Sequence, residues 1–348
     1  MTTDSLGFLD AVAGLPEQLA RAHEIAGELH ADAFPRADTI RNIVMLGMGG
    51  SGIAGDVVAA AFNDEIPVPV NVLKQIRTPE FVGPDTLAIA VSYSGDTEET
   101  VSMASSAVER GAQLVVVTGG GELGSIARDA GALHLPCPQG FQPRAAIGAL
   151  VAPIVVTLFR AGLIPSGHAN LVTAQVQLAR RRDRCVDTVT GAANPAREIA
   201  RLLGRTIPIF YGGGALGGVA AYRWKCDVNE NAKAPAFWNQ YPELDHNEIC
   251  AWGQHGDVTR QLITLIELRH GFEHERLQHR FDFTREIIDE CLYQVISVEA
   301  EGDGRFAQLI DLIYMGDWVS SYLALQNDVD PGPIDAIFDL KSRLSKVE

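Results

Sequence analysis

Basic residues are scarce in this sequence, which has 28 Lys and Arg side chains against 44 Asp and Glu side chains and a formal net charge of −16. A nucleic-acid-binding surface needs a basic footprint, so we expect no nucleic-acid partner. The same charge means that an anionic ligand is not attracted by the protein as a whole. An anion site must therefore be local, built from backbone N–H groups, hydroxyls and a few cations.

Cysteines are few, and long hydrophobic runs are missing. The absence of CxxC pairs indicates idle thiols in a reducing, cytoplasmic compartment. The N-terminal MTTDSLGFLD has neither the basic region nor the apolar core of a signal peptide, and no run of about 18 apolar residues predicts a membrane span. The five cysteines are Cys137, Cys185, Cys226, Cys250 and Cys291.

Apolar runs that alternate with helical patterns dominate the rest of the chain. Its 348 residues indicate two domains at roughly 150 residues each. The alternation implies βαβ units and parallel sheets. The predicted strands are Asn42–Leu46, Val68–Leu73, Leu87–Ser92 and Gln113–Thr118, followed by Thr206–Tyr211, Gln261–Leu268 and Tyr293–Glu299.

We therefore predict an α/β protein with two similar domains, each a parallel sheet flanked by helices. Apolar spacing predicts a single helix over Leu6–Ala33 and a final amphipathic helix over Ile334–Leu344. The charged run ARRRDR at 179–184 is expected to form a solvent-exposed helix face. The predicted segments are an N-terminal helical part at 1–40, a first domain at 41–162, a helical connector at 163–204 and a second domain at 205–348.

Two glycine-rich motifs each follow a predicted strand and open a helix. GMGGSG (Gly47–Gly52) and GGGALG (Gly212–Gly217) both satisfy the GxGxxG pattern of dinucleotide-binding folds. Those folds place an acid at the end of the second strand, whereas this chain reads NVLKQ with Lys74, which disfavours a dinucleotide. Two explanations stay open: glycines that allow close helix–strand packing, and the hydroxyl of Ser51 offered at a helix N-terminus.

The more specific motif is SYSGDTEET at 92–100, which also joins a strand to a helix. Ser92, Ser94 and Thr97 place three hydroxyls in this turn, and Gly95 lets the backbone approach a ligand closely. The N–H groups and the dipole of the following helix favour an anion. Hydroxyls and amides without a lysine suit the phosphate monoester of a small molecule. The alternative is ordinary helix capping by Ser94 or the following aspartate.

GMGGSGIAGD followed by SYSGDTEET resembles a sugar isomerase (SIS) domain, and the later TGGGELGSIAR fits the same pattern. Over residues 40–348 the chain resembles the bifunctional phosphoglucose/phosphomannose isomerase family, in which two SIS domains share one polypeptide. The most specific matching segments are FQPRAAIG, KCDVNENAKAPAFWNQYPELDHNE and DPGPIDAIFDLKSRL.

This resemblance implies an aldose–ketose isomerase that interconverts glucose 6-phosphate, and mannose 6-phosphate as well, with fructose 6-phosphate through a cis-enediol and without a cofactor. It implies that Glu230 moves the proton between C1 and C2, that Arg144 stabilises the enediolate, and that His246 and Lys341 assist ring opening and proton transfer. A homodimer is also implied, with the active site at the subunit interface and the histidine supplied by the partner. The implied phosphate-binding residues are Gly49, Gly50, Ser51, Ser92, Ser94 and Thr97.

Taken singly, the implied catalytic residues have ordinary structural explanations. Glu230 and Lys233 have the spacing of a surface helix pair, and Arg144 has the character of an ion-pair partner. An isomerisation nevertheless needs a carboxylate base, a cation for the enediolate and an acid–base pair, and this set provides all three. A non-catalytic phosphosugar-binding protein on the same fold is the alternative function, although a sensor need not keep such a set.

Three further features concern the mannose activity, the number of phosphate sites and metal binding. The DPGP turn has Gly332 where related proteins often carry a hydroxyl residue linked to mannose phosphate. The second domain lacks an SxSG motif, so only the first is expected to bind phosphate. EHERLQH contains HExxxH, one residue longer than the zinc motif HExxH, so His274 and His279 do not share a helix face and we expect no metal site.

Overall fold

A computed structural model describes residues 3–346, which form two parallel sheets surrounded by helices. The first sheet has the strand order β2-β1-β3-β4-β5, and the second has the order β7-β6-β8-β9. The strands are β1 Asn42–Leu46, β2 Val70–Leu73, β3 Thr86–Ser92, β4 Gln113–Thr118, β5 Leu133–Pro136, β6 Ile207–Gly213, β7 Phe237–Tyr241, β8 Ile263–Arg269 and β9 Gln294–Glu299.

Helices cover both sheets and fill the space between them. Short 3₁₀ segments at Pro143–Ala145 and Glu243–His246 connect some of these elements. The helices are α1 Phe8–Ala13, α2 Leu15–Gly27, α3 Gly49–Ala61, α4 Glu98–Glu109, α5 Gly121–Asp129, α6 Ile147–Arg160, α7 Gly167–Cys185, α8 Pro195–Leu203, α9 Gly214–Asn231, α10 Gly256–Leu262, α11 Glu275–Ile288, α12 Arg305–Gln326 and α13 Asp335–Leu344.

The central strand β3 shows why the first sheet forms. All seven of its residues are buried, as expected for the continuous apolar run of a parallel strand covered on both faces. Its register pairs Leu46 of β1 with Ala90, and Ser92 with Thr118 of β4. These three strands therefore end at the same edge, which is where ligands bind in parallel α/β sheets.

Helices α6, α9 and α12 join the two sheets through one apolar core. The indole N–H of Trp224 on α9 donates to the carbonyl of Leu312 on α12 at 2.7 Å, with both residues buried. Gly316 of α12 lies against the same indole, because a Cβ atom there would be 2.7 Å from the ring. The two halves are thus packed as tightly as a single core.

The N-terminal segment differs from the prediction of one helix over Leu6–Ala33. The chain instead forms α1 and α2, which are separated at Gly14. Pro16 explains the break, because proline lacks an N–H donor and is accepted only in the first turn of a helix. The new helix then packs closely on α6, where a Cβ atom on Gly148 would be 3.0 Å from the backbone nitrogen of Leu19.

Two other expectations are corrected by tertiary contacts. Arg181, in the run predicted to be exposed, is buried on α7 and forms a two-pronged ion pair with Asp311 of α12. Residues 261 and 262 end helix α10 rather than begin β8.

The edge strands β5 and β7 were not predicted, since both are partly exposed and lack an apolar run. No helix among residues 3–346 is long and apolar enough to cross a membrane.

Substitution of Gly316 by alanine should destabilise the junction of α9 and α12. The added methyl group would collide with the Trp224 indole, and overpacking of this kind costs about 1–3 kcal/mol of unfolding free energy. Urea denaturation measures the loss. Gly27→Ala is the matched control, because nothing lies within 4 Å of its Cβ position, and its stability should be unchanged or slightly raised. Equal effects of the two substitutions would contradict the packing described here.

Candidate active site

The first loop, Gly47–Gly52, turns the chain sharply from β1 into α3. A Cβ atom on Gly52 would lie 2.6 Å from the carbonyl oxygen of Gly47, so a side chain does not fit there. Gly49 has a φ of 51°, in the left-handed region that favours glycine. The hydroxyl of Ser51 accepts a hydrogen bond from the backbone N–H of Tyr93 at 3.4 Å. This bond ties the first loop to the loop that follows β3.

The second loop, Ser92–Thr97, is organised by its own hydroxyls. Ser92 is buried, and its Oγ accepts the N–H of Gly95 at 3.1 Å and lies 3.0 Å from Oγ1 of Thr97. Ser94 is exposed, and its Oγ accepts the N–H of Asp96 at 3.3 Å. Ser92 therefore shapes the loop, while Ser94 and Thr97 remain accessible to a ligand.

A third loop closes on the second one. Gly95 has a φ of 83°, and a Cβ atom there would lie 1.9 Å from the carbonyl oxygen of Gly120. The Asp96 carboxylate accepts the N–H of Glu122, in the first turn of α5, at 2.9 Å. The Thr97 side chain makes no capping bond at α4, so the first N–H groups of that helix stay open to an anion.

Arg144 is buried and held by three acceptors from distant parts of the chain. Its Nε donates to Oδ1 of Asn231 at 2.7 Å, and its Nη2 donates to the carbonyls of Pro331 at 2.5 Å and Gly332 at 2.7 Å. Burial lowers the pKa of Arg144, and the nearby carboxylate of Glu230 opposes that shift. The structure therefore places Arg144 between the end of α9 and the DPGP turn.

Beneath the first loop lies a buried charge cluster formed by Arg223 and Asp227 on α9 and Asp317 on α12. Arg223 Nη2 donates to Asp317 Oδ1 at 2.8 Å and to the carbonyl of Arg144 at 2.6 Å. The same nitrogen lies 2.9 Å from Asp227 Oδ1, although that contact lacks hydrogen-bond geometry. Sequence reasoning missed this cluster, because RWKCD carries no signal that distinguishes a buried arginine from an exposed one.

The cluster combines one cation with two buried carboxyl groups, and burial and charge shift the pKa of all three groups. Burial favours neutral Arg223, but Asp227 and Asp317 together outweigh it and raise its pKa. Burial also raises the pKa of both acids, with Arg223 opposing, and it raises that of Asp227 most. Burial is thus the largest cause of the raised pKa of both carboxyl groups, and the attraction of Arg223 opposes it in both.

Glu230 lies in the last turn of α9, half-buried and facing a cavity of about 530 Å³. Within residues 3–346 its carboxylate forms no hydrogen bond or ion pair. Lys233, a predicted surface partner, instead donates to the carbonyl of Asp330 at 2.6 Å. Burial, followed by repulsion from Arg144, lowers the pKa of Lys233. The cavity is lined by Asn229, Glu230, Lys233, Val329, Asp330 and the segment 333–337.

The structure does not bring His246 or Lys341 into contact with Glu230 within one chain. His246 is exposed at the end of a 3₁₀ segment whose Asp245 accepts hydrogen bonds from Arg280 at 2.6 Å and Thr284 at 3.0 Å. Lys341 is exposed on α13, a helix that has no buried residue. Neither side chain hydrogen-bonds to any other candidate residue in the described range.

The glycine loop of the second sheet is filled by the chain itself. The imidazole Nε2 of His270 lies 2.9 Å from the carbonyl oxygen of Gly213, and a Cβ on Gly213 would be 3.4 Å from the Glu273 carboxyl carbon. That carboxylate accepts hydrogen bonds from Arg269 and is almost fully buried. His270 and the Arg269–Glu273 pair thus lie against this loop.

The histidines considered for metal binding have structural roles. His274 Nδ1 accepts the N–H of Arg276 and caps α11, and His279 stacks on Phe283 with ring centroids 6.0 Å apart. No group of three or more His, Cys, Asp or Glu side chains in residues 3–346 is arranged to hold a metal ion.

Two parallel sheets, each opened by a glycine loop, define a protein of the SIS class, and two family models agree with this class. Residues 39–160 match the SIS domain, and residues 192–344 match the bacterial phospho-glucose isomerase C-terminal SIS domain. The C-terminal domain of glucosamine-fructose-6-phosphate aminotransferase from Francisella tularensis has a TM-score of 0.72 at 17% identity, over 94% of this chain and 98% of that chain. At this identity the likeness concerns the fold alone.

Several relatives carry the name bifunctional phosphoglucose/phosphomannose isomerase. The protein from Caldicellulosiruptor bescii is 34% identical over 98% of this chain and 100% of its own. The protein from Thermoplasma acidophilum is 36% identical over 91% of this chain and 94% of its own. The chain belongs to the bifunctional phosphoglucose/phosphomannose isomerase family, and the predicted family and fold class are confirmed.

Asp227→Asn should flatten the pH dependence of stability. Folding raises the pKa of Asp227 above its unfolded value of about 3.9, so the folded state keeps a proton that the unfolded state releases. The unfolding free energy of the wild type therefore falls as the pH rises from about 4 toward the raised pKa. Urea denaturation at pH 5.0 and 7.5, each about one unit or more above the unfolded value, should show a smaller fall for the variant.

The control for this measurement is Asp129→Asn, which removes an exposed carboxylate at the end of α5. It should leave the difference between the two pH values as in the wild type. A wild-type difference that persists unchanged in Asp227→Asn would show that Asp227 is ionised in the folded protein.

Proposed function

We propose that the protein is an aldose–ketose isomerase that interconverts glucose 6-phosphate, and also mannose 6-phosphate, with fructose 6-phosphate through a cis-enediol, without a cofactor. The observation that carries this proposal is the unpaired carboxylate of Glu230, which is half-buried, lines a cavity and lies within electrostatic range of Arg144. The names of the family relatives support the same chemistry. The alternative of a non-catalytic sensor gains no support, since a sensor does not need this carboxylate.

In this mechanism the phosphate is bound by N–H groups of the first loop and by the hydroxyls of Ser51, Ser94 and Thr97, with Ser92 shaping the second loop. The first loop reaches Arg144 directly, because a Cβ on Gly50 would lie 3.6 Å from the Arg144 Cα atom. A substrate whose phosphate occupies the loops is thereby directed toward Arg144 and the end of α9.

The chemical step requires one hydrogen to move between neighbouring carbons. Glu230 removes the proton from C2 of the open-chain aldose and returns it to C1 of the enediol, while a second proton passes between the two oxygens. Arg144 supplies the positive charge that stabilises the enediolate. His246 and Lys341 are assigned to ring opening and proton transfer at O5 and O1.

Glu230→Gln should separate binding from chemistry. The amide keeps the size of the side chain but cannot accept a proton, so exchange of the C2 hydrogen of glucose 6-phosphate in deuterated water should fall by about 10²–10⁴-fold. Binding of sorbitol 6-phosphate, which has no carbonyl group to isomerise, should be nearly unchanged by calorimetry. Ser94→Ala should show the opposite result, with weaker binding and exchange that recovers at high substrate concentration.

Matched controls for these two variants are Glu109→Gln and Ser102→Ala, which alter exposed side chains on α4. Both controls should behave as the wild type. Normal turnover by Glu230→Gln would remove Glu230 from the mechanism. A wild type that binds the hexose phosphates but exchanges no hydrogen would favour the sensor alternative.

We further propose a homodimer with the active site at the subunit interface. The last helix supports this proposal, because α13 leaves Phe338, Leu340 and Leu344 more than half exposed. Edge strand β7 also presents the exposed aromatic rings of Phe237 and Trp238. Exposed apolar side chains of this kind are typical of interaction surfaces. A second copy would cover them and bring an exposed His246 to the neighbouring Glu230.

Mixing two inactive variants should test whether His246 acts across the interface. Glu230→Gln and His246→Asn are unfolded together and refolded at equal concentration. If His246 acts in the partner's site, each mixed dimer has one intact site, and about a quarter of wild-type activity should return. If His246 acts within its own chain, every site in every dimer keeps a defect and no activity returns. Size-exclusion chromatography with light scattering verifies the dimer.

We also propose limits for the domains and a cytoplasmic location for the protein. We place the first SIS domain at 41–162, a helical connector at 163–204 and the second SIS domain at 205–348, supported by the position of α7 and α8 between the two sheets. The cytoplasm is proposed because all five cysteines are unpaired, as is usual in a reducing compartment.

A further inference from the structure

The buried charge cluster under the first loop has no part in the chemical step, yet it contacts the site from below. We infer that Arg223 is a positioning residue for the sugar-phosphate site: its guanidinium ties the carbonyl of Arg144 to helix α12 and thereby fixes Arg144 against Gly50. This inference rests on the proposed function, since it assumes that the first loop and Arg144 bind one substrate.

Three parts of the chain meet at the Arg223 guanidinium. Nη2 donates to the carbonyl of Arg144 at 2.6 Å and to Asp317 of α12 at 2.8 Å. Nη1 would lie 3.7 Å from a Cβ on Gly50, and the same Cβ would be 3.5 Å from the carbonyl oxygen of Pro143. The face of Gly50 from which a side chain would project is thus lined by Arg223 and by the segment that carries Arg144.

Burial makes this contact firm. Arg223 is 1% exposed, and a buried guanidinium is costly unless it is paired with a counter-charge. Its Nε has no acceptor within residues 3–346, and Nη2 makes the hydrogen bonds to Asp317 and to the carbonyl of Arg144. Asp317 provides the charge, and its Oδ1 accepts the hydrogen bond of Arg223 Nη2 at 2.8 Å. The Arg144 carbonyl is therefore bound to a fixed donor rather than to a mobile surface side chain.

The consequence for function concerns substrate affinity, through Gly50 and the first loop, and also the chemical step, through Arg144. Arg223 does not contact Glu230 directly, and the two interact only through their charges. Loss of the bond to the Arg144 carbonyl would release the Pro143–Arg144 segment from Gly50 and misalign the cation with the phosphate loops. Misplacement of binding groups weakens both the ground state and the transition state held between them.

Arg223→Lys is the central test. Lysine keeps the charge, but its single ammonium group does not reproduce the fork of the guanidinium, so it cannot serve Asp317 and the Arg144 carbonyl in the same geometry. Loss of one charge-assisted hydrogen bond should raise the KM for fructose 6-phosphate and the Kd for sorbitol 6-phosphate about tenfold, and it should lower kcat as well, because Arg144 stabilises the enediolate.

Arg181→Lys is the matched control, because Arg181 is equally buried and is paired with Asp311 of the same helix α12, away from the loops. Both variants should lose stability in urea, while only Arg223→Lys should change the KM and Kd. A second test variant, Asp317→Asn, keeps the size of the side chain and leaves Asp227 to ionise as the counter-charge of Arg223. It should raise the same two constants even where Arg223→Lys does not fold.

Two results would overturn the inference. If Arg223→Lys and Asp317→Asn have the same KM and Kd as the wild type, the cluster only supports the fold. The same conclusion follows if Arg181→Lys raises the KM and Kd as much as Arg223→Lys does. A wild type that neither binds sorbitol 6-phosphate nor isomerises hexose phosphates would overturn the proposed function, and this inference with it. The two failures are distinguishable because the first requires a wild type that binds and turns over its substrate.

Discussion

The bond from Arg223 to the carbonyl of Arg144 connects the two halves of the molecule at the point where a ligand would lie. Arg223 belongs to the helix that follows the first strand of the second sheet, and Arg144 belongs to the segment that closes the first domain. A guanidinium in a dry interior needs both a counter-charge and acceptors for its N–H groups. The first domain supplies an acceptor, and α12 supplies the charge. The position of the first loop relative to α9 is therefore held by this arginine.

The glycine loops of the two domains differ in what lies against them. In the first domain the loops after β1 and β3 offer N–H groups and hydroxyls, with Ser94 exposed and Thr97 partly exposed. In the second domain the corresponding loop is occupied by His270 and Glu273. Side chains of the second domain thereby lie against its own glycine loop, while α9 carries Arg223 toward the first domain, where it donates to the carbonyl of Arg144.

A single chain leaves the catalytic set dispersed. Glu230 lines the cavity and interacts electrostatically with Arg144, whereas His246 and Lys341 are exposed. The apolar side of α13 has no cover within the described residues, and a helix in this condition gains stability by packing on another surface. The proposed second copy would bury this helix and would also complete the proposed acid–base set.

The sequence by itself determined the features that depend on local pattern. Apolar runs located β1, β3 and β4, and glycine and hydroxyl motifs after strands located the loops and their preference for an anion. Partly exposed edge strands such as β7 escaped prediction, since they lack a continuous apolar run. Pro16 was present in the sequence, but the long apolar repeat around it concealed the break between α1 and α2.

Only the tertiary structure decided which charged residues are buried and what they contact. Arg181 and Arg223 lie in segments that read as ordinary polar helix faces, and their acids, Asp311 and Asp317, are far away in the sequence. The same holds for Glu273 at the second glycine loop. Burial of a charge depends on a partner brought by the fold, and no local spacing encodes a partner that lies many residues distant.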